Sequence, residues 1–410
     1  MKNVLQRSAL SLALMIGLNV AAIAYTDSAF AQSRAEPKAQ PMNAKLGKVV
    51  NLALKEFSSN PGKAFTDLQT AQPQAKSNYE KAFVAQVMGQ IKANQQQYAA
   101  AVPFTKQAIQ LDALANQQHF ATMFLLAQLY LGTEKYSEML TALDAWERAT
   151  GKSDAQSAAM RANGFYRLGR NAEAAAAADA AIKASPKFDE NLYRIKIASL
   201  FEAKRFGEAE SAGQELLAKK PGDLETIRLL SQIYLADKGK EGQAAQVLRA
   251  AYDSGSLTAE KDILQLAEIY GFTDKLTDAI TILTGALAKG QIQPSAKVYQ
   301  LLGDSYFNSQ NDAKAIEAYG KGAGMAADGN LYKSQGHLLI EAKRWKEAQA
   351  AMTQAFVKGK LKNEGEALIL LGTAESELGN RPAAIAAFTK AKTFAGSKLM
   401  AEQWLKTFTF

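Results

Sequence analysis

The sequence of 410 residues offers little reactive chemistry: it holds two histidines, His119 and His337, and no cysteine. Without thiols there is no disulfide, no thiolate nucleophile and no Cys-ligated zinc or iron–sulfur centre. Two imidazoles are too few for a multi-histidine metal site, so neither a metal nor a cofactor is expected. Gly151-Lys152-Ser153 matches the end of a phosphate-binding loop. The first glycine of that motif would have to stand at position 146, which is Trp146, and no strand pattern precedes it. The triplet is therefore expected to be a turn, with His119 in a turn as well. No G-x-S-x-G elbow occurs, and neither histidine has a serine partner placed for nucleophilic catalysis.

Glu268 and Asp304 are the one carboxylate pair with suggestive spacing. Each directly follows a small residue, Ala267 or Gly303, at the same place in neighbouring segments of similar pattern. On adjacent helices such residues would stand about 8–10 Å apart, a separation that inverting glycosidases use. Ordinary solvated helix faces carry such carboxylates too. A glycosidase-type enzyme on this pair is the weakest reading of the chain.

The elements that would position these groups are legible as a repeat. In residues 296–329, Tyr299, Leu302-Gly303-x2-Tyr306 and Ala315-x3-Tyr319 follow one another. Upstream lie Leu266-Ala267-x2-Tyr270 with Ala279-x3-Leu283, and Leu230-Ser231-x2-Tyr234 with Ala244-x3-Leu248. Downstream lie Gly336 with Ala348-x3-Met352, and Leu371-Gly372 with Ala384-x3-Phe388. The small position recurs at Gly89, Ala127, Ala162, Ile197, Ser231, Ala267, Gly303, Gly336 and Gly372, with Ile197 the one departure. Its spacings are 38, 35, 35, 34, 36, 36, 33 and 36. Two helices approach closely only where one presents a small residue, and each pair leaves an apolar face for the next pair to cover. Alanine-rich 171–184 reads as a helix of little bulk, and Pro221-Gly222-Asp223 as a stop followed by an N-cap.

This pattern resembles the tetratricopeptide repeat, a unit of about 34 residues forming two antiparallel helices. The resemblance covers residues 82–395, about nine units. It implies an all-α fold, a right-handed α-solenoid of antiparallel helix pairs. Residues 46–81 read as a degenerate helical cap with Pro61-Gly62 as its turn. Residues 396–410 read as a closing helix using Leu399, Trp404 and Phe408.

In this family the first helices line a concave groove that takes extended peptides. Residues just after the small position, or three before it, are expected to face inward. Here these are Asn163, Arg194, Arg228, Gln232, Glu268, Asp304, Lys333 and His337, with Phe165, Tyr166 and Phe201 one turn away. Some relatives clamp a terminal carboxylate with Lys, Arg and Asn at such places, but a full set within three consecutive units is missing here. The resemblance implies a scaffold that binds a protein or peptide and catalyses nothing. The alternative is a solenoid of envelope polysaccharide export, with Arg194 and Arg228 tracking an acidic glycan.

The amino terminus sets the expected compartment. Lys2 and Arg7 precede an uncharged stretch from Ser8 to Thr26, and Ala29-Phe30-Ala31 ends it with small residues at the cleavage positions. Residues 1–31 therefore read as a secretory signal peptide cut after Ala31, placing the protein in the periplasm or outside the cell. Retention as an anchor is the competing reading. No later stretch is apolar enough to span a membrane, and 32–45, polar with two prolines, reads as a flexible leader. The formal charge of +8 is spread along the chain rather than gathered in a stripe. Nucleic acid is therefore not an expected partner.

Overall fold

The computed structural model describes residues 34–38 and 40–408, so the expected signal peptide and its cleavage point lie outside the described residues. Within them the protein forms 21 α-helices, one short 3-10 turn and no strand. It is an all-α solenoid, and it divides into two compact units at Lys219/Lys220.

In the unit ending at Lys219, α1 (Ala44–Glu56) and α2 (Pro61–Ala71) form an opening pair. Four pairs follow: α3 (Asn78–Asn94) with α4 (Tyr98–Gln110), α5 (Asn116–Gly132) with α6 (Tyr136–Thr150), α7 (Ala155–Arg167) with α8 (Asn171–Ala184), and α9 (Glu190–Glu202) with α10 (Phe206–Lys219). In the unit from Lys220 the pairs are α11 (Leu224–Ala236) with α12 (Glu241–Asp253), α13 (Glu260–Phe272) with α14 (Leu276–Ala288), and α15 (Ala296–Asn308) with α16 (Asp312–Met325). They continue with α17 (Asn330–Glu341) and α18 (Trp345–Lys358), α19 (Glu364–Glu377) and α20 (Arg381–Ala391), and a closing α21 (Lys398–Lys406). Within each unit every helix packs on the next in the chain, and several first helices also touch the first helix of the neighbouring pair, as α7 does α9 and α13 does α15.

The small position explains how each pair closes. A Cβ added to Gly303 would lie 2.4 Å from the ring of Tyr319, one on Gly336 2.6 Å from Met352 Sδ, and one on Gly372 2.6 Å from the ring of Phe388. In each case the bulky residue stands sixteen positions later, on the second helix of the same pair. Gly89 meets Thr105 at the same offset. Ile197 breaks the small-residue rule, yet it is completely buried. The residue sixteen on is Gly213, also buried, so the large and small members of the pair have changed helices. In α7 and α8 both members, Ala162 and Ala178, are small and fully buried.

Turn chemistry repeats with the same register. Backbone φ is positive at Gln96, Glu134, Gly169, Lys204, Asp274, Gln310, Lys343 and Gly379, each seven positions after a small-position residue, and at Gly239, eight after Ser231. At the first eight the following amide reaches back five residues, as in Lys135 N to Tyr130 O at 2.9 Å and Asn311 N to Tyr306 O at 2.8 Å. This left-handed closure satisfies carbonyls that the end of a helix would otherwise orphan.

Three expectations need correction. Pro61-Gly62 is not the turn of the opening pair: Pro61 is the first residue of α2, where its missing N–H costs nothing, and Asn60 caps the helix through Lys63 N. Leu399 is 72% exposed, because the apolar face of α21 runs through Ala401, Trp404 and Leu405, with Phe408 joining the same cluster just past the helix end, and Leu399 lies off that period. Trp404 stacks on Phe388 with centroids 5.2 Å apart. The leader does not hang free. Asn43 N donates to Glu80 Oε1 at 2.8 Å, and Arg34 and Glu36 are bound at the corner between α4 and α5.

Candidate partner-binding face

In the unit ending at Lys219 the two expected inward residues are withdrawn from solvent. Asn163 on α7 is 2% exposed and Arg194 on α9 is 7% exposed. Arg194 donates from Nε and Nη2 to Glu190 Oε1 at 3.0 and 2.5 Å, one turn back on its own helix. The aromatic residues nearby serve packing. Phe165 sits against the core around Met139 and Trp146, under the Arg170 guanidinium at 4.5 Å. Tyr166 packs against the alanines of α8, and Phe201 meets Phe206 edge-on at 5.5 Å.

In the unit from Lys220 the expected residues form a ladder between first helices. Arg228 on α11 grips Asp262 on α13 with both ends of its guanidinium, Nη2 to Oδ2 at 2.6 Å and Nε to both oxygens at 3.1–3.2 Å. Asp262 is buried, and its carboxylate holds the Arg228 guanidinium even more firmly protonated than usual. Glu268 on α13 pairs with Lys297 on α15 at 2.7 Å. Lys333 on α17 pairs with Glu366 on α19 at 2.8 Å and donates to the Lys362 carbonyl at 3.1 Å. Planar two-point pairing of the Arg228 kind fixes side-chain direction as well as charge.

Asp304 is claimed from a different direction. Tyr319 on α16, the ring that fills the space left by Gly303, donates its hydroxyl to Asp304 Oδ1 at 2.7 Å. Burial pushes the Asp304 carboxyl above its ordinary range, while the Tyr319 hydrogen bond and the Lys297 charge pull it partly back. Lys297 is thus the group that joins Glu268 to Asp304: it bridges one carboxylate and influences the other. Each carboxylate is thus engaged by a neighbouring side chain, Glu268 by Lys297 and Asp304 by Tyr319.

Gln232 is half-buried and His337 exposed, with His337 Nε2 3.6 Å from Glu341 Oε1. His119 is not in a turn. It lies in the first turn and a half of α5, 6% exposed, with Nε2 3.7 Å from Asp112 Oδ1. Burial and the nearby Arg34 charge lower its pKa, and Asp112 opposes them. Gly151 does form a turn, capping α6 in the left-handed conformation. Among the described residues no group of three or more His, Cys, Asp or Glu is placed to hold a metal ion. Nor is any helix there long and apolar enough to cross a membrane.

Sequence reasoning missed the Tyr319–Asp304 bond and the Lys297 bridge. The signal for the first was present: a Gly-Asp dipeptide followed sixteen positions after the glycine by a tyrosine places ring and hydroxyl together. Lys297 had no such signal, since its partner lies in the preceding pair.

Paired helices closed by a recurring small residue, and joined by lateral ion pairs between first helices, define a helical-repeat protein. Tetratricopeptide repeat models match residues 159–223 and 334–398, and another model of the same repeat matches 296–328. The chain is a tetratricopeptide-repeat protein. No curated protein matches it by sequence. Similar solved structures include a tetratricopeptide repeat protein from Parabacteroides merdae, 15% identical, spanning 62% of this chain and 98% of its own, with a TM-score of 0.35. The C-terminal part of a repeat protein from Cytophaga hutchinsonii is 12% identical over 67% of this chain and 95% of its own, with a TM-score of 0.40. A MamA RS-1 double mutant is 16% identical over 42% of this chain and 96% of its own, with a TM-score of 0.35.

Proposed function

We propose that the protein is a non-catalytic scaffold of the cell envelope, exported through residues 1–31, that holds an extended peptide or a segment of a partner protein along the first-helix face of the unit from Lys220. Tetratricopeptide repeats are protein-interaction modules, which supports the general role. The observation that carries the specific one is the ladder of ion pairs. Arg228, Glu268, Lys297 and Lys333 are held in fixed directions by neighbouring helices, so their order is supplied by the fold rather than at binding. Preorganised polar groups lose little freedom when a ligand arrives. Gln232 and His337 lie on the same series of helices with side chains reachable from solvent.

The glycan reading is less well supported. A polyanion would have to compete with Glu190 for Arg194 and with Asp262 for Arg228. Binding that falls steeply with salt and is lost on substituting both arginines would favour it.

The test is site-specific photocrosslinking in cells. A photoreactive residue at Gln232 is expected to capture a discrete envelope protein, and the same residue at Glu317, exposed on α16, is expected to capture none. Equal labelling from both positions would remove the assigned face. The export half of the reading is checked separately by amino-terminal sequencing of the protein from a periplasmic fraction, expected to begin at Gln32.

A further inference from the structure

The leader is bound at one corner in a way that a mere tether does not require. Arg34 places Nε 2.6 Å from Asp112 Oδ1, and its Nη2 donates to the Asp112 carbonyl at 3.0 Å and the Leu114 carbonyl at 2.9 Å. Its Nη1 donates to Asn116 Oδ1. Asn116 Nδ2 in turn donates to the Arg34 backbone carbonyl at 3.2 Å. The Asn116 amide, at the open end of α5, donates to both oxygens of the Glu36 carboxylate at 3.2 Å. A guanidinium, a main-chain carbonyl and a carboxylate two residues on are therefore all read by one corner. Four acceptors converge on the guanidinium, and the carboxylate takes the helix terminus, where the amides and the dipole favour an anion.

The corner is shaped for this. Asp112 has φ of 47°, a left-handed backbone that sets both its carbonyl and its carboxylate within reach of Arg34. Asn116 and Leu114 are buried, at 4% and 0% exposure, and His119 Nε2 lies 3.7 Å from the same Asp112 Oδ1 that Arg34 approaches. The Nδ1 atom of His119 is buried without a hydrogen-bond partner. The segment seated here has no regular secondary structure of its own at 35–38 and is followed by Pro37 and Pro41, so it is held by these contacts and not by helix or sheet.

We propose that the α4–α5 corner is a docking site for an extended Arg-x-Glu peptide, and that the chain's own Arg34-Ala35-Glu36 occupies it as a built-in competitor. A partner segment with the same two side chains at the same spacing displaces the leader. This site is separate from the first-helix face of the other unit and stands or falls independently of it. The leader competes at an effective concentration of roughly millimolar, as short flexible linkers do, so only a well-matched segment enters.

The experiment uses the chain carrying Arg34→Ala and Glu36→Ala, which empties the corner without touching its walls. A fluorescein-labelled peptide of residues 32–40 is titrated against it by anisotropy. Saturable binding is expected, weakened about ten-fold or more in the unmodified chain by the competing leader. It should be abolished when Asp112→Asn and Asn116→Ala are added, and a peptide with alanine at both the Arg and Glu positions should not bind. Circular dichroism melts confirm that each variant is folded. A second readout is independent of the peptide. With only two histidines in the chain, the His119 imidazole can be followed by NMR, assigned through His337→Gln. Its pKa should rise in Arg34→Ala, because a neighbouring positive charge has been removed, and fall again when peptide fills the emptied corner. Equal affinity for the emptied and unmodified chains, no binding to either, or binding indifferent to Asp112 and Asn116 overturns the proposal. So does a His119 titration unmoved by Arg34→Ala.

Discussion

The pair α7–α8 and the pairs α15–α16, α17–α18 and α19–α20 solve one problem in opposite ways. In α7–α8 both contact positions are alanine, and Ala162, Ala174, Ala178 and Ala181 are all fully buried, so two smooth surfaces meet. In the later pairs a glycine on one helix receives Tyr319, Met352 or Phe388 from the other. The first arrangement gains contact from close approach of backbones. The second gains it from one large side chain seated in one gap. Their tolerance differs accordingly. Smooth faces lose little from any single truncation, whereas a filled gap concentrates burial in one residue.

The largest expected effect follows directly. Phe388 is completely buried, stacks on Trp404 and touches the closing helix. Phe388→Ala is expected to cost about 3–5 kcal/mol by leaving a cavity, read as a fall in the denaturation midpoint. Ala178→Gly in the smooth pair should cost about 1 kcal/mol, mainly helix propensity. Comparable losses at the two sites would erase the distinction.

The exchanged pair Ile197/Gly213 sharpens it. Ile197→Gly should cost about 3–5 kcal/mol through the lost side chain and the helix glycine, and Gly213→Ile about 1–3 kcal/mol by overpacking. The double variant Ile197→Gly with Gly213→Ile restores the usual orientation. It should be more stable than the two single losses predict, by about 0.5–3 kcal/mol of coupling. Strict additivity would mean that the two side chains do not answer each other.

A pH experiment separates packing from polar coupling in the Gly303–Tyr319 pair. The folded-state pKa of Asp304 is raised, chiefly by burial. Between the ordinary aspartate value and the raised one, the folded protein therefore holds more protons than the unfolded chain, so stability falls as pH rises through that window. Asp304→Asn, which can still accept from Tyr319, should remove this contribution. Glu80 provides the opposite sign. Three backbone amides, from Asn43, Ser77 and Lys76, hold its carboxyl below the ordinary range, so its contribution is present above that range and is lost as pH falls. Glu80→Gln should flatten the acid limb of the melting-temperature profile. An unchanged profile in both variants would show that neither carboxyl matters to folding.

The smallest effects lie in the turns. Lys204 and Gly379 hold equivalent left-handed positions. Lys204→Gly should stabilise and Gly379→Ala destabilise, each by about 1 kcal/mol, since a Cβ is disfavoured there. Opposite signs in thermal melts are the check.

Much of the fold was legible because its cause is local and periodic. A small residue once per pair, with apolar residues at helical spacing, reports helix contact however the pairs are arranged. What escaped has causes that periodicity does not encode. The sixteen-residue answer to the small residue depends on turn length, and it became visible in the contacts of Gly89, Gly303, Gly336 and Gly372 and in the exchange of Ile197 with Gly213. Six of the nine left-handed turn residues are not glycine, so composition did not mark them. Of the candidate face, the register was readable and the pairing was not. Arg194, Arg228, Glu268 and Lys333 fell at repeating positions, but their partners Glu190, Asp262, Lys297 and Glu366 sit at irregular separations. The leader looked featureless because Arg34 and Glu36 gain their meaning from Asp112 and Asn116, some 80 residues away.

Keeping gap and filler inside one pair of helices has a genetic corollary. A stretch of DNA encoding a single unit carries both halves of its own fit, so copying or deleting that stretch transmits a finished module. Lengthening such a protein then demands new agreement only at the seams, where one module's charges meet the next.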